Sequence, residues 1–389
     1  MASESPQSTP PDATLKELAV VFFRLGTIAF GGPAAHIAMM DDEVVKRRQW
    51  LTREQLLDLI GVTSLIPGPN STELAIHIGY ERGGWRGLFV AGTCFILPAM
   101  TIVWILAAVY DRYQTVPEVG WLLYGIKPVI IAVILQALWK LGRKAIKGAP
   151  TVAAAIAVVA AFFFGLNEIL LLLLAGLGVM LYKNWRRRTS LLLLPAAGLP
   201  PVLAQAAGPT AATGPAVTWG QVFLFFLKIG SVLYGSGYVL LAFLQEDLVE
   251  RSGWLTSQQL LDAIAIGQFT PGPVFTTATF VGYLLAGNAG AIAATVGIFL
   301  PAFLLVGLIN PWVPALRRSP WFGGFLDGVN AASLGLMAVV TYTLARTALV
   351  DIPTAMLAIA AIAAVFQFKA NSAWVVLAGA IVGVLIQTL

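Results

Sequence analysis

Two stretches decide the reading of this chain: Leu65-Ile66-Pro67-Gly68-Pro69-Asn70-Ser71-Thr72 and, 204 residues downstream, Phe269-Thr270-Pro271-Gly272-Pro273-Val274-Phe275-Thr276. In each, an apolar segment is stopped by Pro-Gly-Pro and a new one begins at once. Proline ends a helix because it lacks the N–H and restricts the residue before it, yet it suits the first turn of the next helix. The flanking segments, 53–66 with 70–82 and 256–270 with 274–286, are shorter than the ~20 residues that span a bilayer. Each pair therefore reads as a re-entrant hairpin hinged at its Pro-Gly-Pro.

The register between the two extends outward. An offset of 204 carries Gly26, Gly31, Trp50, Leu51, Thr52, Gln55, Leu56, Leu57, Asp58, Pro67, Gly68 and Pro69 onto Gly230, Gly235, Trp254, Leu255, Thr256, Gln259, Leu260, Leu261, Asp262, Pro271, Gly272 and Pro273. After a one-residue deletion, an offset of 203 pairs Gly79 with Gly282, Pro98 with Pro301 and Arg143 with Arg346. The chain is thus two copies of one unit. Longer apolar stretches at 15–40, 87–110, 120–142, 151–166 and 168–182 recur at 219–244, 289–309, 323–345, 352–367 and 372–388. Apolar residues make up 58% and charged residues 11% of the chain, with a mean hydropathy of +0.83, which places it outside the soluble class. The expectation is an all-α polytopic membrane protein: a disordered tail at 1–14, a first repeat at 15–182, a cytoplasmic linker at 183–218 and a second repeat at 219–389. Each repeat is expected to hold about five transmembrane helices plus the hairpin.

Five crossings, an odd number, would invert the second copy. Charge agrees. Lys46, Arg47, Arg48, Arg53, Arg82, Arg86, Lys140, Arg143, Lys144, Lys147 and Lys183 through Arg188 fall on one face, expected to be cytoplasmic. In the second copy the first loop turns acidic (Glu246, Asp247, Glu250), while Arg317, Arg318 and Lys369 return to the cytoplasmic side. The apolar run at 189–205 is the alternative, since a crossing there would make the copies parallel. The net charge of +5 sits in loop clusters, so nucleic acid is not an expected partner. The single cysteine, Cys94, excludes a disulfide framework or a thiolate metal site.

Chemistry is expected where helices break at membrane depth, because irregular backbone survives there only against protein or a cavity. The breaks are Phe30-Gly31-Gly32-Pro33, Tyr234-Gly235-Ser236-Gly237 and the two Pro-Gly-Pro tips. A helix starting inside the membrane offers free N–H groups and a positive dipole end to an anion. Gly31, Gly32, Gly68, Asn70, Ser71, Thr72, Gly235, Ser236, Gly272, Thr276 and Thr277 are the candidate binding residues, and Pro33, Pro67, Pro69, Gly237, Pro271 and Pro273 the hinges. Arg24 and Lys228, equivalent positions within the first apolar stretch of each copy, could neutralise the anion or snorkel to the interface. Glu73 and His77, one turn apart, are the candidates for proton coupling; a local ion pair is the competing reading. With two histidines, His36 and His77, no metal site is expected. Asp58 and Asp262 read as charges on the wet face of the hairpin arms, and Trp85, Trp121, Trp219 and Trp254 as interfacial anchors. No nucleotide-binding, cofactor or hydrolase motif appears, so no catalytic residue or cofactor is expected.

These residues resemble a family. Phe30-Gly31-Gly32-Pro33, His36, Trp50-Leu51-Thr52, Leu65 through Thr72, Gly79-Tyr80, Gly84-Trp85-Arg86-Gly87 and Phe95-Ile96-Leu97-Pro98 look like the chromate ion transporter family in its long, two-domain form. The second half carries the weaker version in Tyr234-Gly235-Ser236-Gly237, Trp254-Leu255-Thr256, Pro271-Gly272-Pro273 and Phe299-Leu300-Pro301. The resemblance implies a multi-pass exporter in a bacterial or archaeal cytoplasmic (inner) membrane that confers chromate resistance, driven by protons or a counter-ion. A sulfate or other oxyanion carrier and an intramembrane enzyme with an anion pocket are the alternatives, and a homodimer is left open. Chromate is a tetrahedral dianion, which helix N-termini and cations suit. The second Pro-Gly-Pro lacks Asn-Ser-Thr, so the first hairpin is expected to contact the ligand and the second to gate.

Overall fold

The computed structural model describes residues 14–30, 32–63, 66–114, 116–185, 217–234, 239–309 and 319–388. Every regular element among them is helical. In the first half these are α1 (Leu15–Ile28), α2 (Gly32–Met40, running into a wider turn at Asp41–Arg47), α3 (Arg53–Thr63), α4 (Asn70–Tyr113), α5 (Pro117–Ala145), α6 (Ala149–Phe162) and α7 (Glu168–Asn184). The second half follows with α8 (Trp219–Val232), α9 (Leu240–Phe243, running into Leu244–Arg251), α10 (Ser257–Phe269), α11 (Thr277–Ile309), α12 (Pro320–Ala348), α13 (Ile352–Phe366) and α14 (Ser372–Thr388).

Equivalent residues start equivalent helices. Thr14 and Glu17 form a reciprocal capping box on α1, and Thr218 and Gln221 form the same box on α8. Thr52 with Gln55 and Thr256 with Gln259 do so for α3 and α10. Each box satisfies N–H groups that a helix start leaves bare. The long helices α4 and α11 break at matching places as well. Gly84 has φ 55°, ψ −146°, and Gly287 has φ 60°, ψ −148°, a left-handed conformation that glycine adopts without strain. The break turns the chain back so closely that a Cβ on Gly79 would strike the Gly87 carbonyl, and one on Gly282 the Gly290 carbonyl.

Beyond these breaks α4 and α11 lie side by side in opposite order. Trp85 packs on Gly307, Phe89 stacks on Phe303 with centroids 5.7 Å apart, and Trp104 Nε1 donates to Asn288 Oδ1 at 2.9 Å. Swapping the halves turns the first of these contacts into the last. Among the described residues, Asn70–Tyr113, Pro117–Ala145, Val274–Leu308 and Pro320–Ala348 are long and apolar enough to cross a membrane, whereas the other apolar helices are shorter. The chain is a multi-pass, all-α membrane protein.

The 15–40 stretch corrects one expectation. It is two helices, not one crossing, and its ends return to one level: Leu15 and Leu18 lie against Gly83, the Arg82 guanidinium donates to the Trp50 carbonyl at 3.5 Å, and Glu17 is in electrostatic range of Arg48 and Arg82. The apolar length was sufficient for a span, but the break after Ile28 reverses the chain. Among the described residues, two helices in each half are long and apolar enough to cross a membrane. Gly31, Gly235, Ser236, Gly237 and residues 186–216, with the apolar run at 189–205, lie outside the described residues.

Candidate functional site

Both Pro-Gly-Pro tips end against the opposite half. Gly68 N–H donates to the Leu233 carbonyl at 2.7 Å, and Gly272 N–H donates to the Ala29 carbonyl at 2.9 Å. Leu233 and Ala29 are the residues that cap the C-termini of α8 and α1, where carbonyls otherwise lack partners. Each tip thus closes the first helix of the other copy, and Gly68 (φ +141°) and Gly272 (φ +93°) take the backbone shape this needs. Pro67, Pro69, Pro271 and Pro273 are all buried at these tips.

The two helices that leave the tips differ. At the start of α4, the amides of Thr72 and Glu73 both reach the Pro69 carbonyl, leaving those of Asn70 and Ser71 without a backbone acceptor among the described residues. Around them lies a buried set of polar atoms that make no hydrogen bond among the described residues: Asn70 Oδ1, Thr72 Oγ1, both oxygens of Glu73 and both ring nitrogens of His77. Thr72, Glu73 and His77 are all 0% exposed. The Glu73 Oε1 folds back against Gly68, and Tyr234 of the second half stands within its electrostatic reach. Ser71 is held by His36, whose Nδ1 is 3.1 Å from Ser71 Oγ while Nε2 is 3.0 Å from the Ala29 carbonyl. Burying so many polar groups costs free energy unless something pairs them, each by about 1–3 kcal/mol.

The second tip is satisfied internally. Thr276 Oγ1 donates to Pro273 and Thr277 Oγ1 to Val274, at 2.7 and 2.9 Å, and Thr279 pairs with Thr295 at 2.7 Å. Val274, Phe275 and Phe280 fill the remainder. Gly32 and Pro33 begin α2, on the chain between the Ala29 carbonyl and His36.

Arg24 and Lys228 do not join this cluster. Arg24 is on the exposed side of α1 and makes no ion pair among the described residues. Lys228 binds Asp247 Oδ2 at 3.0 Å, beside Arg251 and Glu168. Among the described residues the buried cation is instead Lys127, which the sequence reading passed over. Its Nζ is 3.1 Å from Asp262 Oδ1, with side chains only 7% and 2% exposed. Tyr110 Oη donates to Asp262 Oδ2 at 2.7 Å, and its ring tilts against Phe280, centroids 5.2 Å apart. Asp262 therefore faces protein, not water, contrary to expectation, while Asp58 is exposed. A charge within an apolar run, the signal that singled out Arg24, was equally present at Lys127. No group of three or more His, Cys, Asp or Glu residues that could hold a metal occurs among the described residues.

Comparison with known proteins follows the same division. The chromate transporter family profile matches residues 16–180 and again 220–384. The chain is 33% identical over 378 residues to the chromate transport protein of Cupriavidus metallidurans, covering 96% of this chain and 93% of that protein. It is 32% identical to a probable chromate transport protein of Synechococcus elongatus, covering 98% of both. The chromate transport protein of Pseudomonas aeruginosa is also 32% identical, with 98% and 94% covered. No solved structure matches. Two matches in tandem, on the two halves that the hairpin tips lock together, mean that the chain belongs to the chromate transporter family.

Proposed function

We propose that this protein is a secondary transporter that exports chromate across the inner membrane, coupled to protons, by alternating access of two inverted repeats. The observation that carries the reading is the buried, unsatisfied polar set at the start of α4, a helix N-terminus inside the membrane. Relatives named as chromate transport proteins supply the substrate, and those names favour a carrier over an enzyme. An anion at this N-terminus and a charge on Glu73 disfavour one another, which makes Glu73 the group through which a proton couples to the anion. The first hairpin binds and the second, apolar and internally satisfied, moves as a gate.

Inversion is supported by the antiparallel run of α4 against α11 and by the exchanged tip contacts. The charges agree: Lys147 and Lys183 meet Asp327 at one face, and Arg251 meets Glu168 at the other. Since 15–50 turns back, the number of crossings in the first repeat is even, and inversion then puts the end of α7 and the start of α8 on opposite faces. The cytoplasmic assignment for 183–218 would hold for Lys183 and not for Thr218. Single cysteines at these two positions, in a Cys94→Ala background, should react with an impermeant maleimide from opposite sides; labelling from one side would make the repeats parallel.

Chromate accumulation in everted vesicles, with and without a proton gradient and with excess sulfate, tests the function. Gradient-dependent accumulation that sulfate does not abolish is expected, and Glu73→Gln should uncouple it from the gradient. A chain verified in the membrane that accumulates no chromate would overturn the reading, and full competition by sulfate would reassign the substrate.

A further inference from the structure

We infer that His36 is a positioning residue that decides whether the Ser71 hydroxyl can donate to an oxyanion at the first hairpin tip. This rests on the anion reading of that tip and names a residue the reading leaves unused. The hydrogen-bond polarity follows from chemistry. A carbonyl can only accept, so Nε2, 3.0 Å from the Ala29 carbonyl, must carry a hydrogen. In a neutral imidazole Nδ1 then bears a lone pair, and across 3.1 Å the Ser71 hydroxyl must be the donor. Its one hydrogen is spent. What Ser71 then turns toward any other ligand is oxygen lone pairs, which repel an oxyanion.

One proton reverses this. With imidazolium, Nδ1–H donates to Ser71 Oγ, and the hydroxyl hydrogen is free to rotate toward the space where the Asn70 and Thr72 oxygens are buried without partners. The proton adds one positive charge beside the start of α4, offsetting one charge of a dianion. No other bond is made or broken. His36 is 1% exposed, with the Phe95 ring edge-on at 5.6 Å and no ion pair among the described residues. The titratable groups within two turns of Ser71 on α4 are Glu73 and His77, Cys94 adjoins Phe95 on the same helix, and Arg24 of α1 is exposed; the end of α1 presents the Ala29 carbonyl and the second tip the uncharged Gly272 amide. The second repeat cannot do the same, because Leu240 and Phe275 stand where His36 and Ser71 do.

The full chain with His77→Asn keeps His36 as its only histidine, so ¹⁵N-histidine NMR reads this ring alone. The expected result is the Nε2–H tautomer, converting to imidazolium as sulfate or chromate is added at fixed pH, with a midpoint raised by about one unit, a tenfold change in the ratio. Ser71→Ala should cut that shift at least threefold, and Ser71→Thr, which keeps the hydroxyl, should restore it; Ser71→Cys replaces the alanine if that variant does not fold. An Nδ1–H tautomer, or an equal anion-induced shift in Ser71→Ala, overturns the inference. These readouts need no transport. A wild-type chain that moves no chromate in vesicles yet gives the expected titration would sink the carrier reading alone.

Discussion

The two hairpins share a sequence pattern and a backbone, yet they sit in opposite surroundings. In the first, the entering arm α3 leaves Leu57 (56% exposed) and Asp58 uncovered, and its main neighbours are α4 and the turn before it. In the second, α10 is buried throughout Leu260–Ala265, between α5, α11, α12 and α14. Polarity is reversed as well: unsatisfied groups lie on the leaving arm of the first hairpin, whereas the second has a satisfied ion pair on its entering arm. The duplication has kept the turn geometry at Gly84 and Gly287 to within about 5° while dividing the work between a polar tip and a locked arm.

The largest test of that division is the pair of equivalent aspartates. Asp262→Ala strands Lys127 in the interior and should cost about 3–5 kcal/mol, whereas the exposed Asp58→Ala should cost no more than about 1 kcal/mol, both read from melting in detergent. Equal losses would break the comparison. Next come the glycines that the halves share. Gly79→Ala and Gly282→Ala each push a methyl into a facing carbonyl and should each cost about 1–3 kcal/mol; a marked inequality would mean that the halves do not pack alike. The smallest effect lies away from the hairpins, at the N-caps of α6 and α13, where Gly148 corresponds to Asp351. The Tyr124 hydroxyl, 2.6 Å away, and then the Thr354 amide hold the Asp351 carboxyl below its ordinary value of 3.8. A depressed folded value stabilises above the unfolded one and is lost as pH falls through the folded one. Melting temperatures between roughly pH 3 and 6 should therefore decline less in Asp351→Asn than in the native chain.

Much of this was legible in the sequence. The repeat, the Pro-Gly-Pro tips and the unequal Asn70-Ser71-Thr72 follow from residue identity, because proline and glycine act through local backbone rules that need no tertiary context. What was not legible depends on where chain segments meet. The 14 residues of α1, mostly apolar, look the same whether the next segment continues or returns, so the reversal after Ile28 is not legible. Lys228 reads as a ligand residue because its partner Asp247, nineteen positions away, lies on the helical segment after α9, whose path cannot be read from sequence. Asp262 looked wet because Lys127 and Tyr110, which dry it, come from the other half. His36 reads from sequence as part of the family motif and as too little for a metal site; its link to Ser71 spans 35 residues.

The Ala29 carbonyl has a consequence of its own. It accepts from the tip of the second hairpin and from His36 at once, so a carbonyl with two lone pairs has two claimants, one from each half of the chain. Withdrawal of the tip would leave the oxygen wholly to the imidazole, and a change at the imidazole would alter how strongly the tip is held. Thermodynamic reciprocity makes the two influences equal in free energy: whatever factor proton uptake contributes to releasing the second hairpin, release of that hairpin contributes to proton uptake.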